Sequence, residues 1–306
     1  MTGRWRRSEI WKIRDVFLMI IAWVSTSSAS VLVLLSESNA LTCAFWRVFI
    51  TTLLIYSYTV LERAVGKEGL KSVSRSSFLK AFAAGVLLGM HFLSWMESLF
   101  LVPVALSTTV VVTYPLINAL AEGLMRRRLH VGEAFGLILA FLGVFTAMKP
   151  QITTNSSTAG LVLAFIGALS AAGYFHLGRL SRMSGVSLTS YTVIVYASSS
   201  LTLGLYAMIT GSSVSPSSAT SWTYVILLAL IPMLGGHTVM NYLLKKMKSY
   251  VVTSISLGEP PGATLLAAIL LGQSVTMETI VGMVLVLTGI TVVLHTSIRE
   301  TRALES

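Results

Sequence analysis

Long uncharged runs separated by short polar stretches recur from one end of the chain to the other. They fall at about 15–35, 41–61, 78–100, 104–124, 131–148, 159–177, 188–209, 222–244, 250–271 and 277–296. A helix needs about 20 apolar residues to cross the hydrocarbon core of a bilayer, so each run is long enough to span it. The pattern predicts an all-α integral membrane protein of ten transmembrane helices. Short links make consecutive helices antiparallel neighbours and leave no room for a soluble catalytic domain.

Composition agrees. Of 306 residues 54% are hydrophobic and 11% charged, against about 25% charged in a soluble domain. The net charge of +10 would suit a nucleic-acid partner only if it lay on one solvated face. Instead, Lys and Arg come in bursts on alternate loops. With the N-terminus inside, 20 of the 22 basic residues fall on the cytoplasmic side, leaving Lys149 opposite and Arg47 within the second span. That bias places both termini in the cytoplasm, with a basic leader at 1–14 and a tail at 297–306. The first apolar run carries no small-residue cleavage site and reads as a retained span, not a removable signal. A lone Cys43 excludes an internal disulfide.

Self-comparison at an offset of 146 superposes His91 on His237, Pro115 on Pro261, Gly136 on Gly282 and Gly143 on Gly289. The chain therefore divides into two repeats, 15–149 and 159–296. Each holds five spans, an odd number, so the second enters the membrane with the opposite orientation. Inverted repeats of this kind place a substrate site between the halves near the midplane.

Ionisable or polar groups at bilayer depth are costly unless they face a cavity or a partner, and each is a site candidate. His91 in helix three shares a face with Trp95 at i+4, and its repeat mate His237 in helix eight has Asn241 at the same spacing. Two histidines flanking a pseudo-twofold axis suit hydrogen bonding to a polar substrate or proton coupling. Glu259 is the one carboxylate in the central part of a span and precedes Pro260 and Pro261, which break the helix and free carbonyls. It reads as a proton carrier or a partner for a substrate amine. Tyr114 and Asn118 flank Pro115, a second expected break, and complete the candidate substrate-binding set of His91, Trp95, Tyr114, Asn118, His237, Asn241 and Glu259. Arg47, about 9 Å from the outer end of helix two, and Glu97 near the outer end of helix three read as an external gate or structural ion pair.

The segment Ala105-Leu106-Ser107, then Tyr114-Pro115, the turn Arg126-Arg127-Arg128, and Gly136 with Gly143 follow one order. Val252-Thr253-Ser254, Glu259-Pro260-Pro261, Gly272-Gln273, and Gly282 with Gly289 repeat it. With Arg47 after Phe45-Trp46, this order resembles the EamA-type branch of the drug/metabolite transporter superfamily, over nearly the whole chain. The turns after helices four and nine depart from that family's frequent Gly-Glu pair. The resemblance implies a secondary active transporter of the plasma membrane that moves a small polar metabolite, such as an amino acid, an amine or a drug-like compound, by alternating access. It also implies export.

No Gly-xxxx-Gly-Lys phosphate loop, His-Glu-xx-His zinc signature or Gly-x-Ser-x-Gly elbow occurs, so the expectation is a protein that is not an enzyme and needs no metal or cofactor. The expected partners are a small-molecule substrate, protons and the lipid bilayer, and not nucleic acid. Oligomeric state is left open. A non-transporting receptor or scaffold on the same fold is the alternative, and a phosphate-ester exchanger a weaker one, because the second half has no Lys or Arg within its spans.

Overall fold

The computed structural model describes residues 13–66, 70–125, 130–153, 157–247 and 249–303. The leader up to residue 12, the turn Arg126-Arg127-Arg128 and the last residues of the tail lie outside the described residues. All regular structure among the described residues is helical. Eight helices are long and apolar enough to cross a membrane: α1 Phe17–Leu35, α2 Ala40–Ala64, α3 Arg75–Ser98, α4 Val104–Ala121, α6 Thr158–Met183, α7 Leu188–Thr210, α8 Ala219–Leu243 and α9 Ser249–Leu271. Two shorter apolar helices, α5 Val131–Ala147 and α10 Met277–Val293, fill the remaining expected places.

Local chemistry sets the ends. Asn39 Oδ1 accepts from Thr42 N at 2.7 Å, Ser187 Oγ from Ser190 N at 3.1 Å, and Ser218 Oγ from Ser221 N at 3.0 Å. Each satisfies an amide that the first turn cannot. Side chains that point outward are apolar, with Met208 80%, Ile209 84% and Phe141 74% exposed, as a surface solvated by lipid requires. Many buried hydroxyls bond back to their own helices, as Thr51 does to Arg47 O at 2.6 Å and Thr108 to Val104 O at 2.7 Å, so these small side chains pack with their polar atoms paired.

The packing obeys a twofold exchange of the halves. Helices α2, α4 and α5 lie against their own mates α7, α9 and α10, and α3 lies on α6 as α8 lies on α1. In the α5–α10 pair a Cβ added at Gly136 would meet Gly289 O, and one at Gly143 would meet Gly282 O. This reciprocal order means that the mates run antiparallel at close approach, as inverted repeats require.

Besides a one-residue break in α1 at Ser28, between α-helix over Ile13–Ser27 and over Ala29–Leu35, three helices are interrupted among the described residues. In α4, α-helix runs over Val104–Val111 and again over Tyr114–Met125. Its mate α9 passes through a 3-10 segment, Ser254–Gly258, before α-helix resumes at Glu259. Pro115, Pro260 and Pro261 sit in the first turns of the restarted helices, where a missing N–H costs nothing, and the breaks precede them. The third interruption is a π-helix in α8, Ala229–Thr238, which contains Pro232 and His237.

Candidate functional site

The interruptions in α4, α8 and α9 meet at the centre of the bundle, around a small enclosed space lined by Thr26, Arg47, His91, Trp95, Tyr114, His237 and Glu259 with Ala29, Val111 and Pro232. Its volume of about 10 Å³ is room for roughly one water, so the protein is closed around its centre.

The two histidines predicted to be paired are 6.2 Å apart between ring centroids but differ in their bonds. His91 Nδ1 donates to Gly167 O on α6 at 2.9 Å. A carbonyl only accepts, so the proton sits on Nδ1. His237 is buried and its Nδ1 has no hydrogen-bond partner; its ring stacks on Phe175 at 6.0 Å and 11°. The π-helix carries His237 into the centre, and Thr238 Oγ1 reaches five residues back to Met233 O at 3.0 Å. An extra residue per turn of this kind re-aims side chains and recurs at functional sites.

Glu259, at the restart of α9, is held by the hydroxyls of Thr26 on α1 and Ser256 on its own helix. Tyr114 on α4 donates to Ser256, forming a chain from one repeat through a hydroxyl to the carboxylate of the other. Trp95 stacks on His91 at 5.9 Å and 6°, and its indole Nε1 is buried without a partner.

Arg47 departs from expectation. It lies at the centre, fully buried, and pairs with no carboxylate. Glu97 is on the exposed face of α3, two residues past Trp95 and so about 200° around the helix. The expected Arg47–Glu97 ion pair is not formed. The guanidinium lies 4.0 Å from the Phe92 ring centroid, and Nε, Nη1 and Nη2 all lack hydrogen-bond partners. Arg47 and Glu259 interact electrostatically across the space without direct contact.

Asn118 and Asn241 do not line the space. Asn118 is buried one turn beyond Tyr114, with its Nδ2 unpartnered. Asn241 belongs to a polar knot beside the cavity: its Oδ1 accepts from Tyr174 at 3.0 Å, its Nδ2 donates to Tyr196 at 3.3 Å, and Tyr196 bonds Thr238 at 2.9 Å. Arg182, a loop charge by its position in the chain, is buried there, with Nε donating to Asn241 O at 3.2 Å.

Contacts tie the helices together on either side of the centre. On the face carrying the basic loops, Lys246 pairs with Asp15 at 2.8 Å and Arg14 donates to Tyr242 at 2.7 Å. Partial burial alone would lower the Lys246 pKa, but contact with Asp15 and Tyr242 holds it above its ordinary value. On the other face Trp46 Nε1 donates to Val214 O at 2.6 Å and Ser221 Oγ to Ser36 O at 2.8 Å.

Ser256, Phe92, Pro232 and Tyr196 went unread in the sequence. Pro232 carried a usable signal as a proline in mid-span. The hydroxyls carried none in a chain rich in Ser and Thr.

Residues 158–295 match the EamA-like transporter family. An uncharacterized transporter of Archaeoglobus fulgidus is 26% identical over 174 residues, which are 56% of this chain and 60% of that protein's length. A solved crystal structure superposes with a TM-score of 0.68 at 16% identity, over 92% of this chain and 96% of its own, a likeness of fold. With the match of its second half to the EamA-like transporters and helices long and apolar enough to cross a membrane throughout, the chain is a multi-pass membrane protein that is similar to that family over residues 158–295.

Proposed function

We propose that this protein is a secondary active transporter that carries a small polar metabolite across the plasma membrane by alternating access, the two repeats rocking about the central space. The observation that carries the reading is the convergence of Arg47, His91, His237 and Glu259 from both repeats on one small central space. Ionisable groups at bilayer depth are retained at such cost where a solute or proton must be handled. The termini lie in the cytoplasm, following the basic loops, and the direction is export, as the family resemblance implies.

Glu259 and His237 couple transport to protons. Glu259 is linked through Ser256 to Tyr114 and faces Arg47, so its charge state is felt by both repeats.

Purified protein in proteoliposomes, assayed by counterflow with a panel of amino acids, amines and other small metabolites, is expected to exchange at least one of them. Exchange of none overturns the reading. An imposed pH gradient is expected to drive net movement in the wild type, and Glu259→Gln to retain counterflow while losing that drive. An unchanged pH response in the variant removes the proton role.

A further inference from the structure

We propose that the centre of the protein is a binding site for a carboxylate, with the Arg47 guanidinium as its clamp, so that an acidic group and not an amine selects the solute. This rests on the transporter reading and narrows its substrate class.

The argument comes from which polar atoms are left open. Around the central space the buried side-chain atoms without a hydrogen-bond partner are Arg47 Nε, Nη1 and Nη2, Trp95 Nε1 and His237 Nδ1. Each is a nitrogen, and the guanidinium and indole nitrogens only donate. The acceptors there are already engaged: the Glu259 carboxylate takes Thr26 and Ser256, and Ser256 takes Tyr114. What the open nitrogens lack is an acceptor in contact with them, Glu259 acting on Arg47 only from a distance, and an acceptor with negative charge answers Arg47 best. An amine would add donors to a donor-rich wall.

Arg47 is also posed for this work. A guanidinium 4.0 Å from the centroid of a phenyl ring is anchored by cation–π attraction and keeps its N–H rim free. That rim matches the two oxygens of a carboxylate bidentately. A purely structural arginine is the poorer account, because a fully buried charge without hydrogen bonds is destabilising, and a packed apolar side chain would serve the fold better. Glu259 balances the charge from a distance without occupying the N–H groups. Chloride shares the charge but lacks the paired oxygens, so it distinguishes a carboxylate clamp from a site for any anion.

The test is the thermal unfolding midpoint of the purified full-length chain in detergent. Propionate, propylammonium, propionamide and chloride are each added in excess. Binding is read here without transport, so its failure and that of the transporter reading are separable. Propionate is expected to raise the midpoint by mass action, propylammonium and propionamide to leave it unchanged, and chloride to have a smaller effect than propionate. Arg47→Gln should abolish the propionate shift. If that variant does not fold, Trp95→Phe keeps an aromatic ring on His91, removes one donor and should weaken propionate binding about tenfold, the worth of one hydrogen bond to a charged group. Stabilisation by propylammonium, by chloride as much as by propionate, or by none of the four overturns the proposal. So does an undiminished propionate response in Arg47→Gln or, where that variant does not fold, in Trp95→Phe.

Discussion

Tyr114 is the residue through which the first repeat reaches the carboxylate of the second. Its ring stacks on Phe175 at 5.6 Å and 18° while its hydroxyl donates to Ser256. Tyr114→Phe therefore keeps the packing and removes one link. It is expected to cost about 1 kcal/mol of unfolding free energy, measured by denaturant titration in detergent, and to blunt the response of transport to pH. A full pH response in this variant would mean that the link plays no part in coupling. His91, His237 and Glu259 were legible in the sequence because ionisable groups at depth are rare. Arg47 was legible as a candidate but given the wrong partner. Spacing fixes depth along a helix, whereas the pairing depended on the face Glu97 occupies, and two residues beyond Trp95 that face is turned away. Ser256 was hidden because a hydroxyl in this chain is commonplace, and only the tertiary fold selects the ones that meet Glu259.

At the scale of the element, the two repeats are uneven. Helix α3 is regular, whereas its mate α8 carries the π-helix Ala229–Thr238. Pro232 has no N–H to give the turn before it, which favours the wider register there. Pro232→Ala restores that donor, and a return to α-helix would rotate everything beyond it by about 100°, taking His237 off the cavity. The variant is expected to insert and fold while losing at least tenfold in transport, measured as initial counterflow rate per protein in proteoliposomes. Wild-type rates would show that the π register is incidental. The helices and the breaks at Tyr114-Pro115 and Glu259-Pro260 follow from local chemistry and could be read from the sequence. The π-helix could not, since its register depends on α1, α2 and α7 packing around it as well as on Pro232.

At the scale of the whole molecule, the inverted repeat gives one chain two faces. Different residues tie the two faces, and under the proposed alternating access those contacts decide which face opens more readily. The basic face is held by the Lys246–Asp15 pair at 2.8 Å, with Lys246 26% exposed and Asp15 7%. Because Lys246 has a raised pKa, it stays charged throughout the neutral range, and this latch responds to salt and not to mild changes of pH. Asp15→Asn is expected to remove about 0.5–1 kcal/mol, shifting the population toward the state open on that face by a few-fold. The check is the labelling rate of a cavity cysteine from that side.

The same cysteine gives the most direct test of alternating access. Thr26 lines the central space and is small. In a Cys43→Ser background, Thr26→Cys can be exposed to a membrane-impermeant maleimide from either side of sealed vesicles. The account predicts labelling from both sides in separate experiments, slowed on both by a transported solute. Labelling from one side only, at a rate indifferent to every solute, would contradict it.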